Sequence, residues 1–372
     1  MNDAGRPGAV RDLAYMRRAL SLARRGWGQT APNPMVGAVV VRGSEIVGEG
    51  WHARYGGPHA EAGALEAAGD RARGATVYVT LEPCAHHGKT PPCADALIAA
   101  GVARVVAAVA DPNPVATGGG ARLRAAGIEY EVGVAEAPAR ELNAPFFFAL
   151  GADRPWVTLK LATSIDGALT DHRRSAAWLT GSRARRAVHR MRAGHDAIAV
   201  GIGTAIADDP LLTVRGRLHP RTPPTRLVFD RNARLPLTGK LASSARRIPT
   251  LVLAEEPDRE RVAALEEAGV EVIQASTLHG LLRRLVDRGI RSVLVEGGAG
   301  IAAGLLAACL VDRLVIFQAP LVLGGGSLNA FAELPPALVR DAPRLAVIER
   351  KTFGDDLMTV YAPAGDGFCS QG

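Results

Sequence analysis

The chain has 372 residues, more than a single hydrophobic core usually supports, so two domains are expected. It is 48% hydrophobic with a mean hydropathy of +0.08, and its four cysteines exclude a disulfide scaffold. The formal net charge of +7 fits nucleic acid, anionic small molecules or simple solubility, and so excludes none of these.

The first half alternates helical and strand-like patterns, which is typical of a layered α/β sheet. Amphipathic or alanine-rich runs, most of them ended by a glycine, predict helices at 14–25, 60–68, 94–100 and 121–126. Apolar runs predict strands at 36–41, 46–50, 76–81, 102–109 and 128–132. Arg42-Gly43-Ser44 is the expected hairpin turn between the first two of these strands.

Prolines and glycines punctuate residues 137–155 and indicate a domain boundary, which divides the chain into 1–146 and 147–372. A second α/β series follows, with predicted helices at 182–191, 259–268, 280–288 and 299–310. The predicted strands are 156–161, 197–200, 225–229, 250–254, 270–274, 292–296, 314–319, 345–350 and 357–361. The longest uncharged apolar stretch is too short to span a membrane and no signal peptide is apparent, so a cytoplasmic protein is expected.

Potential metal ligands stand at three points of the first half. His59 begins a predicted helix, Cys84 follows a strand, and Cys93 precedes another helix. One imidazole and two thiolates suit zinc and leave its fourth position open, which is typical of a catalytic site. Glu61 is placed to move a proton between water and a leaving amine. A structural zinc with a fourth protein ligand is the alternative, with three candidates for that ligand: His52, His86 and His87.

The spacing of these residues carries a resemblance. His-x-Glu with Pro-Cys and a second Cys is the signature of the zinc deaminases of the cytidine-deaminase type. Eight residues separate Cys84 from Cys93 where the usual pattern has two, and the whole segment 80–93 closely resembles the bifunctional riboflavin-biosynthesis deaminase/reductase family. Segments 32–37 and 48–52 match the same family. The resemblance covers nearly the whole chain.

The resemblance implies an N-terminal cytidine-deaminase-like three-layer αβα domain followed by a dihydrofolate-reductase-like α/β domain. It implies one Zn²⁺ in the deaminase domain and NADPH in the reductase domain. The first domain would deaminate 2,5-diamino-6-ribosylamino-4(3H)-pyrimidinone 5′-phosphate. The second would reduce 5-amino-6-(5-phosphoribosylamino)uracil to the ribityl compound. Both substrates are small pyrimidine ribose phosphates, and a homo-oligomer is expected.

In the second half, an apolar strand ending at Glu296 leads into Gly297-Gly298-Ala299-Gly300, an arrangement that can cradle phosphate. The family resemblance assigns two sets of residues here. Those matching cofactor-contacting positions are Ala162, Trp178, Thr204, Asp208, Gly298, Ala299, Gly300, Ile301, Ala302, Ala303 and Gly304. Those matching substrate-binding positions are Ala176, Arg192, Leu212, Arg215 and Glu296, with Ala176 standing where the family commonly has serine.

Two other classes of function compete with a bifunctional enzyme. One is a nucleic-acid base deaminase with a C-terminal RNA-binding module, and the other is a zinc-stabilised scaffold without activity. A nucleic-acid deaminase should concentrate basic charge in the deaminase half. Residues 1–145 hold 15 basic and 14 acidic side chains, whereas 146–372 hold 29 and 23. The charge therefore favours anionic small molecules, with neither nucleic acid nor membrane as a partner.

Overall fold

The computed structural model describes residues 9–86, 91–174 and 177–364. They form two compact units that divide after Gly151, five residues beyond the predicted boundary at 146/147. No helix within the described ranges combines the length and the apolar character needed to cross a membrane.

The first unit is built on a five-stranded sheet. Its strands are β1 (Gly37–Arg42), β2 (Glu45–Trp51), β3 (Thr76–Val79), β4 (Arg104–Ala107) and β5 (Glu129–Val132). Its helices are α1 (Ala9–Ala23), α2 (Ala60–Ala68), α3 (Cys93–Ala100), α4 (Gly119–Ala125), α5 (Glu136–Leu142) and α6 (Ala144–Ala149). The strand order is β2-β1-β3-β4-β5, with β1 antiparallel to both neighbours and β3, β4 and β5 parallel.

Helices cover both faces of this sheet, so the predicted three-layer αβα arrangement is confirmed. One core joins α2, α3 and α4 to the sheet, and the other joins α1 and α5 to the opposite face. Glycines let the helices approach closely: a Cβ at Gly37 would lie 2.1 Å from the Ala19 carbonyl of α1. A Cβ at Gly50 would lie 2.2 Å from the Ala60 carbonyl of α2. The backbone of α2, which begins beside His59, is thereby fixed against β2.

The second unit contains a nine-stranded sheet and a two-stranded ribbon. Its strands are β6 (Trp156–Thr163), β7 (Ala168–Thr170), β8 (Ala197–Gly201), β9 (Thr225–Phe229), β10 (Thr250–Ala254), β11 (Glu271–Gln274), β12 (Ser292–Glu296), β13 (Arg313–Gln318), β14 (Leu328–Asn329), β15 (Leu345–Phe353) and β16 (Asp356–Pro363). Its helices are α7 (Ser182–Ala193), α8 (Ile202–Asp208), α9 (Lys240–Ser243), α10 (Arg259–Glu267), α11 (Leu278–Val286) and α12 (Ala299–Ala307).

The large sheet has the order β11-β10-β9-β8-β12-β6-β13-β16-β15. Strands β11 to β13 in this order run parallel, and β16 and β15 add an antiparallel edge. Helices α11 and α12 pack on one face, whereas α7, α8, α9 and α10 pack on the other. Burial on both faces explains why the parallel strands read as continuous apolar runs in the sequence. Ligand sites of such sheets form at the carboxyl ends of the parallel strands.

Residues 137–155 differ from the irregular segment expected from their prolines. They hold most of α5 and all of α6. Pro138 and Pro145 fall in the first turns of these helices, where a backbone N–H has no partner within the helix, so neither proline breaks it. Helix α8 was also not predicted, because it contains Gly203 and glycine disfavours a helix.

The close contact between α2 and β2 leads to a stability prediction. In Gly50→Ala the new Cβ meets two backbone atoms of α2, Ala60 O at 2.2 Å and Ala64 N at 2.5 Å, neither of which can rotate away. We expect the free energy of unfolding to fall by about 1–3 kcal/mol, measured by urea denaturation. Gly63→Ala is the control, because its Cβ would have only a 3.7 Å contact.

In that control a helical glycine becomes alanine, which should stabilise the chain by up to about 1 kcal/mol. Equal effects of the two substitutions would contradict the close packing of α2 on β2.

Candidate functional site

The predicted metal ligands are placed by the ends of three elements in the first unit. His59 is the residue before α2 and has extended backbone, and Glu61 lies in the first turn of that helix. Cys84 lies beyond the end of β3, and Cys93 is the first residue of α3. Two bonds tie the cysteine segments together: the Cys93 N–H donates to the Cys84 sulfur at 3.3 Å, and the Ala94 N–H donates to the Cys84 carbonyl at 3.2 Å.

These elements bring His59, Cys84 and Cys93 into one cluster. Their ligand atoms all lie within 4.8 Å of one another. The His59 Nδ1 atom is 3.2 Å from the Cys93 sulfur and 3.6 Å from the Cys84 sulfur. Both cysteines are buried. One nitrogen and two sulfur atoms at this separation form the donor set that zinc prefers.

The cluster is arranged to concentrate negative charge on sulfur. The Cys93 thiol donates to Cys84 and lowers the pKa of Cys84, an effect that burial opposes and His59 reinforces. The same contact, together with burial, raises the pKa of Cys93. Interaction with Cys84 raises the pKa of His59. Binding of a metal cation by these three groups requires the sulfur atoms to be deprotonated.

Glu61 reaches the same place from the first turn of α2. Glu61 is only 3% exposed, and this burial raises the pKa of its carboxyl group. A cavity of about 290 Å³ opens over the cluster, and His59, Glu61 and Cys84 are among the residues that line it. A carboxyl group with a raised pKa beside an open metal position is suited to accept and return a proton.

The structure also addresses the fourth ligand that a structural zinc would need. Burial lowers the pKa of His52, which favours the neutral ring. Its Nδ1 lies 3.0 Å from the Pro58 carbonyl and must donate there, which leaves Nε2 to accept from the Asn33 amide at 3.4 Å. His86 lines the cavity outside the cluster. His87 lies outside the described residues. Within the described ranges the cluster therefore consists of three ligands.

In the second unit, Glu296 lies at the carboxyl end of β12 opposite Lys160 of β6. The Arg192 guanidinium of α7 binds both Glu296 carboxylate oxygens, at 2.5 and 2.9 Å. Burial opposes ionisation of Glu296, but Arg192 and then Lys160 outweigh it and lower the pKa of its carboxyl group. Burial also lowers the pKa of Lys160. The two predicted substrate residues Arg192 and Glu296 are thus brought together as a bridge.

Arg192 and Arg215 were both predicted to bind substrate, but they have different surroundings. Arg192 donates a third hydrogen bond to the Thr213 carbonyl, at 2.8 Å. Arg215 is exposed, and its backbone N–H donates to His189 at 3.2 Å. The bridge with Glu296 therefore holds the segment before Arg215. Leu212 in this segment is buried and has a left-handed backbone with φ of +47°.

The predicted phosphate cradle lies where β12 leads into α12. Gly298 precedes the first residue of α12 and has extended backbone. A Cβ at Gly298 would lie 3.1 Å from the Thr204 hydroxyl oxygen, so the starts of α12 and α8 approach each other. Free N–H groups at the start of a helix suit an anionic group. The Glu333 carboxylate also lies beside this start, since a Cβ at Gly300 would be 3.1 Å from its oxygen. The residues Ala299, Gly300, Ile301, Ala302, Ala303 and Gly304 all belong to α12.

The other predicted reductase residues are more dispersed. Asp208 ends α8, and burial raises the pKa of its carboxyl group. Ala162 lies near the carboxyl end of β6. Trp178 is 79% exposed, with the Arg185 guanidinium 5.2 Å from its ring centre. Ala176 lies outside the described residues.

Comparison with known proteins shows the family of each half of the chain. Residues 10–109 match the family described as cytidine and deoxycytidylate deaminase zinc-binding region, and residues 155–359 match the RibD C-terminal domain. The chain is 41% identical to the riboflavin biosynthesis protein RibD of Aquifex aeolicus over 353 residues, covering 94% of this chain and 98% of that protein. The chain belongs to the RibD family. The RibD of Escherichia coli is also 41% identical, over 363 residues, with 94% and 98% of the two chains covered.

Solved RibD structures share the whole architecture. Acinetobacter baumannii RibD is 38% identical with a TM-score of 0.82, and 96% of this chain and 99% of that chain are covered. A Thermotoga maritima protein described as a diaminohydroxyphosphoribosylaminopyrimidine deaminase/5-amino-6-(5-phosphoribosylamino)uracil reductase is 35% identical, with the same TM-score and coverage. The predicted fold class is confirmed.

The chain is thus a bifunctional RibD enzyme of riboflavin biosynthesis, with a deaminase domain followed by a reductase domain. The RNA-binding alternative is not supported, because the second half matches the RibD C-terminal domain. The families indicate zinc for the first domain and a nucleotide cofactor for the second.

Sequence reasoning missed several residues of the deaminase cavity. Glu82, Asp111 and Asn113 line it together with the predicted residues. The latter two follow a buried strand in the stretch Asp111-Pro112-Asn113-Pro114, where polar residues between prolines at a strand end were a usable signal.

The bridge between Arg192 and Glu296 can be tested by stability. Arg192→Met removes the cation paired with the nearly buried Glu296 carboxylate. We expect the free energy of unfolding at neutral pH to fall by on the order of 3 kcal/mol, because the carboxylate loses this partner. Arg186→Met, at an exposed position of the same helix, should change it by less than about 0.5 kcal/mol.

The free energy of unfolding that Arg192→Met loses, relative to the unaltered chain, should depend on pH. Because the folded pKa of Glu296 is lowered, its contribution is present above the ordinary value of 4.5 and is lost as the pH falls through the lowered pKa. Urea denaturation should therefore give a difference that narrows in acid. A difference that stays constant on acidification would contradict this role of Arg192.

Proposed function

We propose that the first domain deaminates 2,5-diamino-6-ribosylamino-4(3H)-pyrimidinone 5′-phosphate and that the second reduces 5-amino-6-(5-phosphoribosylamino)uracil with NADPH. The observation that carries the first step is the clustering of His59, Cys84 and Cys93 beside a cavity that Glu61 also lines. The Thermotoga maritima relative is described by the same two activities. Both substrates are small pyrimidine ribose phosphates.

In the deaminase site, His59, Cys84 and Cys93 would hold Zn²⁺. Their donor atoms are of the types zinc prefers and lie close enough together to share one ion. Zinc held in such a site activates water for hydrolysis at neutral pH. Glu61 would accept the proton at its carboxylate and deliver it to the departing amino group, since its raised pKa suits both transfers.

In the reductase site, the start of α12 would bind the NADPH phosphates through its backbone. Gly298 carries no side chain and lies beside the Thr204 hydroxyl, so a phosphate could approach the free N–H groups at the start of α12 there. Residues 299–304 stay predicted cofactor contacts, and Ala299, Ala302 and Ala303 among them are buried. NADPH carries the hydride, and the protein supplies orientation and charge. Asp208, Ala162 and Trp178 are the other proposed cofactor contacts.

For the sugar phosphate we propose Arg215 as the phosphate ligand, because it is exposed while Arg192 is held by Glu296. Arg192 then acts by bracing the segment that contains Leu212 and Arg215. Lys160 is a candidate to protonate the reduced sugar. The substrate role of Ala176, the homo-oligomer, the cytoplasmic location and the boundary at 146/147 stay predictions.

The test follows the two reactions separately in one chain. We expect Glu61→Gln to slow ammonia release from the diaminopyrimidine phosphate by about 10³-fold or more, because the group that moves the proton is lost. Its zinc content and its NADPH oxidation with the deaminated substrate should stay at the level of the unaltered chain. Glu66→Gln, at an exposed position of the same helix, is the matched control.

Retention of ammonia release by Glu61→Gln would remove this residue from the chemistry. An unaltered chain that releases no ammonia, or oxidises no NADPH, would overturn the corresponding half of the proposal.

A further inference from the structure

Glu82 is a carboxylate beside the deaminase cavity that has no part in the reaction described above. It lies two residues before Cys84 and is 9% exposed. One carboxylate oxygen accepts the Gly120 N–H at 2.9 Å, and the other accepts the Asp111 N–H at 3.1 Å. Both oxygens are therefore bound to backbone donors from a distant part of the chain.

The two donors mark the ends of the segment 111–120, which connects β4 to α4. Asp111, Asn113 and Ala116 in this segment line the cavity that also contains His59 and Glu61. We call 111–116 the cavity wall. Most of the wall is irregular, so ladder hydrogen bonds of a sheet do not fix its position.

A few contacts hold the cavity wall in shape and against the Cys84 segment. Within the wall, the Asn113 N–H donates to the Asp111 carboxylate at 2.9 Å. Between the two segments, the Ala85 N–H donates to the Ala116 carbonyl at 3.2 Å. Gly119 presses against Pro83 so closely that a Cβ there would lie 1.7 Å from the Pro83 carbonyl oxygen. The two hydrogen bonds of Glu82, to the Asp111 and Gly120 N–H groups, hold the chain before and after the residues that make these contacts.

We propose that Glu82 is a positioning residue of the deaminase, which holds the cavity wall so that Asp111 and Asn113 face the substrate beside Glu61. The inference rests on the proposed deaminase function. A carboxylate is required because two N–H donors need two acceptor oxygens. Glutamine supplies one acceptor, and its NH₂ group would face the second N–H donor without a bond.

The test compares Glu82→Gln with the unaltered chain, using zinc-loaded full-length protein and the diaminopyrimidine phosphate as substrate. Loss of one of the two hydrogen bonds, and of the charge that strengthens the other, should raise the KM for deamination about tenfold or more. The kcat should change by less than the KM, and the zinc content should be unchanged. Glu136→Gln, whose carboxylate pairs with Arg140 at the surface, is the matched control.

NADPH oxidation by the reductase domain reports whether each variant is folded. Should Glu82→Gln fail to fold, Glu82→Asp keeps the charge but is one methylene too short to reach both donors, and the same rise in KM is expected. A variant with unchanged KM, or one whose activity falls only because zinc is lost, would overturn the inference. An inactive unaltered chain would instead overturn the proposed deaminase function.

A double substitution separates positioning from general damage. The double variant Asp111→Ala/Asn113→Ala removes both side chains that Glu82 is proposed to position, so adding Glu82→Gln to it should change the KM by less than about twofold more. The full tenfold effect of Glu82→Gln on that background would show that Glu82 does not act through the cavity wall.

Discussion

The burial of two thiol groups and one imidazole within a few ångströms of each other is the constraint on which the first domain depends. Two buried thiolates are stable only beside a compensating cation, because burial otherwise disfavours their charge. Gly48 and Gly50 of β2 contribute to this site although they are not part of it. Because they have no side chains, α2 lies close to β2, and this places His59 beside the cysteines. Glu61 follows on the same helix, so one close contact positions both the ligand and the carboxylate.

The second domain solves a different electrostatic problem. It carries most of the excess positive charge of the chain, which fits a nucleotide and a sugar phosphate as ligands. Part of that positive charge is paired inside the domain, since Arg192 binds Glu296 and the Thr213 carbonyl of the neighbouring segment. The net charge of a domain therefore overstates the charge it offers to ligands, and exposure distinguishes Arg215 from Arg192.

Much of this architecture could be predicted from sequence, because the strands read as apolar runs and the metal ligands stand at element ends. The helix that contains Glu61 and the strand that ends at Glu296 are examples. Helices α5 and α6 were not predicted, because proline disfavours a helix interior but is tolerated in the first turn. The bonds of Glu82 join residues 29 and 38 positions apart, and no local pattern encodes such contacts.

His59, Cys84 and Cys93 are proposed to hold one zinc ion and to leave a fourth position for water. X-ray absorption at the zinc K-edge of the purified chain tests this proposal. We expect two sulfur ligands per zinc at about 2.3 Å, with nitrogen or oxygen atoms at about 2.0–2.1 Å completing the shell. A shell of three or four sulfur atoms, or a chain that retains no zinc, would contradict it.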